Sequence, residues 1–265
     1  MKKNVLFILL IFPLAALAQD AEIFEYPRFR LSFEAGVGFL NGTTITPDAV
    51  RESQSYYYDD YYYRDYYYCG YLYDNLAIPH YYIGVKPEFS INKSFALAAG
   101  LRLLNSNYTL NSDKDYFLWK ISENDLTTHY TRVKNIKQNR FYVGVPVEIT
   151  FYTYGKRDLP VRHYCKGGVS LNFLLASKTT PYFADVAMNR YADKVINDVK
   201  NAPSPFFTPA FFIGTGMKIG RMNRPFGTIE IRMPFTINAS FSSFIASSVG
   251  LEFQTAIYFP LREKK

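Results

Sequence analysis

A tyrosine-rich segment from Gln54 to Tyr73 is the part of the chain with the most strongly biased chemistry. Tyrosine offers a large, fairly rigid contact surface with a polar tip, and it is enriched at recognition surfaces. We therefore interpret the segment as a surface patch for a protein or glycan partner. The alternative is a low-complexity loop that extends the flanking strands, because biased composition by itself shows only composition. The candidate binding residues are Tyr57, Tyr58, Tyr61, Tyr62, Tyr63, Arg64, Tyr66 and Tyr67.

Carboxylates in and just after this segment could hold a calcium ion, since oxygen ligands suit Ca²⁺. They are Asp59, Asp60, Asp65 and Asp74. Their spacing lacks the ligand pattern of a calcium loop such as that of an EF-hand. We therefore predict no metal site and no cofactor.

Three histidines, His80, His129 and His163, could supply a general base. A hydrolase needs a nucleophile with a positioned base. His129 has Asp125 and Thr127 near it in the sequence, but the chain contains no Gly-x-Ser-x-Gly stretch. We predict that the protein is not an enzyme, and we keep lipid or peptide hydrolysis as an alternative.

The stretch from Arg140 to Tyr152 shows the kind of element that must position these groups. Its residues alternate between an apolar face and a small or polar face, which is the period-two pattern of a β-strand. The apolar face carries an aromatic ring at each end, Phe141 and Phe151, with aliphatic side chains between them. Rings at two interfaces with aliphatic residues between them are typical of a lipid-facing strand of a membrane barrel.

Seven further stretches repeat this alternation. Together they predict an all-β fold, an eight-stranded antiparallel up-and-down transmembrane β-barrel. The predicted strands are 29–40, 80–91, 95–103, 140–152, 166–175, 211–219, 228–235 and 249–259. The connections are long at 41–79, 105–138 and 176–206, medium at 236–243 and short elsewhere. Outer-membrane barrels have long extracellular loops and short periplasmic turns, so this order places both termini in the periplasm.

Four prolines interrupt the predicted strands, and each removes a backbone donor from the ladder. We expect bulges or strand ends at these positions. They are Pro87, Pro146, Pro209 and Pro234.

Period two alone does not say which face lies inside the barrel. A soluble lipocalin-like barrel turns its apolar face inward and shows the same alternation. Glycines on the polar face, rings at the ends of the apolar face and mid-strand charges of both signs favour a polar interior and a lipid-facing wall. Eight strands leave an interior only wide enough for side chains, so we predict an ion-paired plug and not a continuous pore. The predicted luminal network is Arg30, Glu34, Lys86, Glu88, Arg102, Glu148, Lys166, Lys218, Glu230, Arg232 and Glu252.

The beginning of the chain has the three parts of a secretory signal peptide. Met1-Lys2-Lys3 is basic, the run from Val5 to Leu14 is apolar, and Ala16-Leu17-Ala18 supplies small residues. We predict cleavage after Ala18, with residues 1–18 as the signal peptide and residues 19–265 as one outer-membrane barrel domain. The formal net charge of +7 forms no basic stripe, so we expect no nucleic-acid partner.

The chain contains two cysteines, Cys69 and Cys165, and an exported protein could pair them. The predicted topology puts Cys69 in an outer loop and Cys165 near the opposite rim. A disulfide needs Cα atoms within about 7 Å of each other. We therefore expect no bond between them.

The run Tyr142-Val143-Gly144-Val145-Pro146-Val147-Glu148-Ile149-Thr150-Phe151 resembles the proline-containing fourth strand of the small outer-membrane β-barrel domain family common in Bacteroidota. The signal peptide, the eight-strand spacing and the Gly250, Leu251 and Phe253 positions of the last strand are similar to the same family. The chain departs from the usual C-terminal aromatic assembly signal, because Phe259 is followed by Pro260 and a charged tail. The resemblance implies a cell outer-membrane location and this architecture. The family includes type IX secretion components of the PorT kind, and it implies no catalytic residues.

The leading functional hypothesis is a non-enzymatic surface barrel whose outer loops contact a protein or glycan partner. Outer-membrane lipid and lipopolysaccharide would surround its wall. The runner-up is a subunit of an envelope secretion or assembly machine that docks through the barrel wall or the periplasmic rim.

Overall fold

The computed structural model describes residues 29–44, 47, 49–50, 72–74, 78–112, 115–124, 127–153, 159–201, 206–221, 225–237 and 241–259. The predicted signal peptide, the eight candidate binding residues of the tyrosine-rich segment and Cys69 lie outside these ranges. Cys165 carries a free, exposed thiol.

Nearly all of the described chain is β-strand. The strands are β1 (Phe29–Thr44), β2 (Leu72–Asp74), β3 (Ile78–Ser90), β4 (Phe95–Ala99), β5 (Leu101–Ser112), β6 (Phe117–Asn124), β7 (Thr127–Tyr152), β8 (Val161–Phe183), β9 (Phe207–Gly220), β10 (Pro225–Thr236) and β11 (Ile245–Tyr258). A 3₁₀ helix (Val186–Tyr191) and an α-helix, α1 (Ala192–Asn201), lie between β8 and β9. None of the helices that the structure describes is long and apolar enough to cross a membrane.

The strands close into a ring, because β1 pairs with β3 on one side and with β11 on the other. All pairings around the ring are antiparallel, in the order β1, β3, β4 with β5, β7, β8, β9, β10, β11. The strands β4 and β5 are consecutive halves of one barrel strand. Outside the ring, β2 pairs with the end of β5 and β6 pairs with the beginning of β7. The ring therefore has eight barrel strands, which confirms the predicted fold.

The prediction of bulges or strand ends at the four prolines is wrong. Pro87, Pro146, Pro209 and Pro234 lie inside strands, and each has a cross-strand partner on one side with no register shift at the proline itself. On the other side, Pro87 and Pro146 lie next to the break between β4 and β5, and the β10–β11 pairing has no partner for Pro234. The nearest irregularity is the break between β4 and β5 at Gly100, whose N–H donates to the carbonyl of Pro146. Proline lacks the N–H that would pair with the neighbouring strand. The irregularity that results falls in that neighbouring strand, at Gly100, while the strand that contains Pro146 continues.

The wall of the barrel is apolar outside and charged inside. Val37 and Ile83 are 59% and 50% exposed, whereas the inward-pointing Glu34 and Arg232 are 0% and 1% exposed. Outward side chains of the barrel strands include no Asp, Glu, Lys or Arg between Phe141 and Phe151, or on the facing stretches of the neighbouring strands. A water-facing surface of this composition would be strongly unfavourable, so the wall contacts hydrocarbon. This confirms the lipid-facing orientation and excludes the lipocalin-like alternative.

The apolar wall ends sharply towards the long connections. Outward residues change from Phe141 to Asn139 on β7 and from Leu103 to Asn105 on β5, and the two asparagines hydrogen-bond to each other at 2.8 Å. At about 3.3 Å per residue and a tilt near 40°, the run from Phe141 to Phe151 rises roughly 25 Å, the height of a lipid-facing band. We call the end with the long connections the distal end, and the end with the short turns the basal end.

Two of the predicted long connections prove to be largely regular structure. Residues 105–138 form the outer parts of β5 and β7 with β6 paired between them, and residues 176–206 continue β8 to Phe183 and then form the helices. The period-two pattern weakens there because the outward side chains face water. Predicted strand 166–175 is also too short at its start, because β8 begins at Val161.

The lipid-facing wall can be tested by introducing a charge at its middle. Val147→Arg places a guanidinium in hydrocarbon, and we expect the free energy of unfolding to fall by roughly 2–4 kcal/mol. Urea titration of barrel refolded into lipid vesicles measures this loss. The control is Thr109→Arg, on the same outer face above the apolar wall, which we expect to change stability by less than about 1 kcal/mol. Equal effects of the two substitutions would contradict a lipid-facing wall.

Candidate functional site: the charged interior of the barrel

All eleven residues of the predicted luminal network point into the barrel, and the structure brings them together as two groups. The central network comprises Glu34, Lys86, Arg102, Glu148, Lys166, Glu230, Arg232 and Glu252. The basal cluster, near the short turns, contains the other three, Arg30, Glu88 and Lys218, together with Arg162, Tyr152 and Tyr258.

Glu148 is the centre of the central network. Its Oε1 atom accepts from Nη2 of Arg102 at 2.8 Å and from Nη2 of Arg232 at 2.9 Å. Its Oε2 atom lies 2.8 Å from the Lys86 Nζ and 3.2 Å from the Lys166 Nζ. One fully buried carboxylate thus contacts four cations from four different barrel strands, which ties those strands together across the bore.

Two further carboxylates complete the pairing of these cations. Glu34 contacts the Arg102 Nε and lies 2.7 Å from the Lys86 Nζ. Glu230 contacts the Arg232 Nε and accepts from the Lys166 Nζ at 2.6 Å. Each cation therefore bridges two carboxylates, as buried charges require.

The distal side of the network ends in hydrogen bonds to neutral groups. The Tyr82 hydroxyl contacts Glu252 and lies 2.6 Å from Oε1 of Gln254, and its single hydrogen donates to one of these two acceptors at a time. The Arg102 guanidinium lies over the Tyr82 ring, 4.5 Å from its centroid. Nε2 of His80 is 3.3 Å from Oε2 of Glu252.

Glycines make the space that these large side chains need. A Cβ atom on Gly36 would overlap the ring of Tyr82, and one on Gly216 would come within 2.7 Å of the Tyr164 hydroxyl. The glycine-rich polar face noted in the sequence therefore has a packing reason at these two positions. The ring of the neighbouring tyrosine occupies the volume that a side chain would take.

The distal mouth of the bore is covered by the segment between β10 and β11. Phe241 packs edge-on against Tyr142, with ring centroids 5.2 Å apart, and its carbonyl accepts from the Ser106 hydroxyl. Ser243 takes hydrogen bonds from Gln138 and Arg140. The predicted medium loop thus folds back onto the interior.

Above this layer the extended strands enclose an apolar core, which we call the distal cap. Trp119 of β6 is fully buried there, and its indole N–H donates to Asp198 of α1 at 2.9 Å. Val195 and Val199 of the same helix are also buried in it. The sequence alone did not predict this cap, because its apolar residues belong to segments interpreted as loops.

The three histidines lie in different parts of the barrel, and His80 lies beside Glu252 in the bore. His129 is exposed at the distal end, and His163 lies on the outer wall with hydrogen bonds to Thr153 and Thr215. In the described part of the chain, no three His, Cys, Asp or Glu side chains are grouped to hold a metal ion.

Sequence reasoning missed Arg162 and the tyrosines that surround the basal cluster. Arg162 lies four residues before Lys166 on the same strand, so its side chain points to the same inward face. Extending the period-two pattern of β8 backwards by four residues would have found it.

A closed antiparallel barrel with a lipid-facing wall and an ion-paired interior defines a transmembrane β-barrel protein, and we assign that class from this chain's own wall and bore. No protein-family model matches the sequence, and no curated protein matches it.

Three solved structures are similar to this chain in architecture. Neisserial surface protein A has 8% sequence identity and a TM-score of 0.37, and the match covers 88% of this chain and 98% of that one. The outer membrane protein OprG from Pseudomonas aeruginosa has 11% identity and a TM-score of 0.37, with 89% of this chain and 98% of that one covered. Ail of Yersinia pestis, in complex with the heparin analogue sucrose octasulfate, has 9% identity and a TM-score of 0.33, with 88% of this chain and 99% of that one covered.

Removing the central carboxylate should be costly. Glu148→Gln leaves four buried cations with less compensating charge, and we expect a loss of roughly 3–5 kcal/mol in the free energy of unfolding. Urea titration in lipid vesicles measures the change, with the exposed Asp115→Asn as the control. A loss below about 0.5 kcal/mol would show that the network does not support the barrel.

The close approach of Gly36 and Tyr82 predicts an energetic coupling between them. Gly36→Ala should destabilise the barrel, and it should cost at least about 1 kcal/mol less when Tyr82→Leu has already removed the ring. A double-mutant cycle of unfolding free energies measures this difference. Simple additivity of the two losses would rule out the proposed packing.

Proposed function

We propose that the protein is a non-enzymatic, integral outer-membrane β-barrel that binds a surface partner at its distal end. The apolar wall supports the membrane location. The proposal that it binds a partner is supported by the described residues at the two ends of the tyrosine-rich segment, which pair with strands at the distal end. Val50, four residues before it, bridges to Trp119, and Leu72, near its end, pairs with Ser112.

The proposed orientation follows from the lengths of the connections. The described chain enters the ring at Phe29 and leaves it after Tyr258, and both positions lie at the basal end with the short turns. Long connections of outer-membrane barrels are extracellular and short ones are periplasmic. The distal end would then face outward, with both termini in the periplasm.

We further propose that the bore is closed and conducts nothing. The side chains of the central network are at most 8% exposed, and Phe241 and Ser243 lie across the distal mouth. Water and ions would have to break several buried ion pairs to pass. A barrel of eight strands leaves no additional space around them.

The outer face of the distal extension is basic. Its exposed cations on β6, β7 and β8 are Lys120, Arg132, Lys134, Lys137 and Lys178, which we call the distal basic face. The strand β8 contains no Asp or Glu, and the single one in β7 is the inward-facing Glu148. Tyr182 lies beside this face, with the Lys137 ammonium 5.1 Å from its ring centroid.

This combination of charge and aromatic surface favours an anionic glycan as the partner. Cations supply long-range attraction to sulfate, phosphate or carboxylate groups, while tyrosine rings give flat contact area for sugar rings. The tyrosine-rich segment itself carries more acidic than basic residues, so we assign contact to its rings and attraction to the distal basic face.

Membership of the Bacteroidota barrel family, including the PorT kind, stays a prediction.

Binding of heparin, as a model anionic polysaccharide, tests both parts of the proposal. Arg132→Ala with Lys137→Ala should weaken binding and reduce its dependence on salt concentration, because two charges are lost. Replacing Tyr57, Tyr58, Tyr61 and Tyr62 by alanine should weaken binding without changing the salt dependence, because no charge is altered. Surface plasmon resonance of the refolded barrel at several salt concentrations measures both effects.

The matched control is Lys93→Ala with Arg221→Ala, which removes two exposed charges from the basal end. It should leave heparin binding unchanged, and neutral dextran should not bind. The proposal fails if the wild-type barrel does not bind heparin, or if the basal pair matters as much as the distal pair. Recovery of a stoichiometric membrane complex in mild detergent would instead favour a subunit of an envelope machine.

A further inference from the structure

The basal cluster differs from the central network in its charge balance. The central network has four cations and four carboxylates. The basal cluster has three cations, Arg30, Arg162 and Lys218, but within the described ranges Glu88 is its single carboxylate. All four side chains belong to residues that are at most 5% exposed.

Glu88 already contacts two cations and two tyrosine hydroxyls. Its Oε1 atom contacts Nη1 of Arg30 at 3.3 Å and Nζ of Lys218 at 2.5 Å. Its Oε2 atom accepts from the Tyr258 hydroxyl at 2.8 Å, and the Tyr152 hydroxyl lies 3.5 Å from Oε1. Glu88 thus already compensates two cations, and no hydrogen bond or ion pair joins it to Arg162 in the described part of the chain.

Arg162 is the third cation of the cluster. It is 2% exposed, yet its Nε and Nη2 atoms have no hydrogen-bond partner in the described part of the chain. Its guanidinium lies 5.0 Å from the centroid of the Tyr152 ring. Across the β8–β9 pairing its register partner is Lys218, another cation. A buried guanidinium with unsatisfied donors is strongly unfavourable, so this position requires a compensating anion.

The geometry of the free donors indicates which anions fit. The Nε–H and one Nη2–H of a guanidinium point the same way along one edge of its plane. Two parallel N–H donors on that edge match two oxygens of a phosphate or carboxylate group.

We propose that the basal cluster is a binding site for one small oxyanion of the phosphate class, held by the Nε–Nη2 edge of Arg162 beside Lys218. The site lies inside the basal end of the bore and is separate from the distal surface of the proposed function. Binding would neutralise the excess charge of the cluster and link β8 to its neighbours. The barrel would therefore be more stable with the anion bound.

Isothermal titration calorimetry with inorganic phosphate on the refolded, detergent-solubilised barrel tests this assignment. We expect saturable binding of one phosphate per chain. Arg162→Met should weaken it at least about tenfold, since a charge-assisted bidentate contact is lost. Arg162→Lys keeps the charge but not the two-donor edge, and it should give an intermediate affinity.

Arg190→Met is the matched control. The Arg190 guanidinium also lies over a tyrosine ring, 4.7 Å from the centroid of Tyr191, but Arg190 is exposed and lies outside the distal basic face. Its replacement should leave phosphate binding unchanged. Heat-modifiable gel mobility verifies that each variant is folded, and if Arg162→Met does not fold, Arg162→Lys carries the comparison.

Three results would overturn the proposal. The first is the absence of saturable phosphate binding to the folded wild-type barrel. The second is an equal loss of affinity in the Arg190 and Arg162 variants. The third is binding that occurs only after Glu25→Gln and Asp158→Asn, because the chain's own carboxylates, close in sequence to β1 and β8, would then be the natural partner of Arg162.

Discussion

Hydrocarbon cannot solvate a charge, and the arrangement of this barrel follows from that constraint. Each barrel strand exposes one face to lipid, so its charged residues occupy the alternate positions that point inward. Inside a narrow bore they have little water, and they must therefore be paired with one another. Glu148, with cations from four barrel strands around it, is where this requirement is met most fully.

The same constraint explains the inward tyrosines and glycines. A tyrosine hydroxyl can satisfy a carboxylate while its ring accepts a cation on its face, as Tyr82 does between Glu252 and Arg102. Such rings take up space that the adjacent strand must provide. Gly36 and Gly216 provide it, so the small residues of the inward face belong to the same packing scheme as the charges.

The lipid-facing part of the fold could be predicted from the sequence because only there do two different solvents act on alternate residues. Phe141 to Phe151 shows the pattern clearly for that reason. Beyond Asn139 the outward face meets water and the inward face meets the distal cap, so side chains such as Lys137 and Gln138 no longer alternate in polarity. The extension of β7 and the helix α1 were consequently predicted as a loop.

The interior could be predicted as a set of residues, but its pairing could not. Period two places Glu34 and Arg102 on the same face, yet their contact depends on the stagger between strands that are not adjacent in the chain. Arg162 was missed because β8 was predicted to begin four residues too late. The prediction of bulges at the prolines was wrong for a different reason. A proline removes one hydrogen bond from the ladder, and the resulting irregularity can fall in the neighbouring strand, as it does at Gly100.

The hydrogen bond between Trp119 and Asp198 has a consequence for biogenesis. It joins β6 to α1, two elements separated by the whole of β7 and β8. The apolar core around Trp119 therefore cannot be completed until both of those long strands have been threaded through the bilayer. With the distal end outward, this core would pack only after β7 and β8 span the membrane. Once packed, it would be too large to pass back through the bilayer.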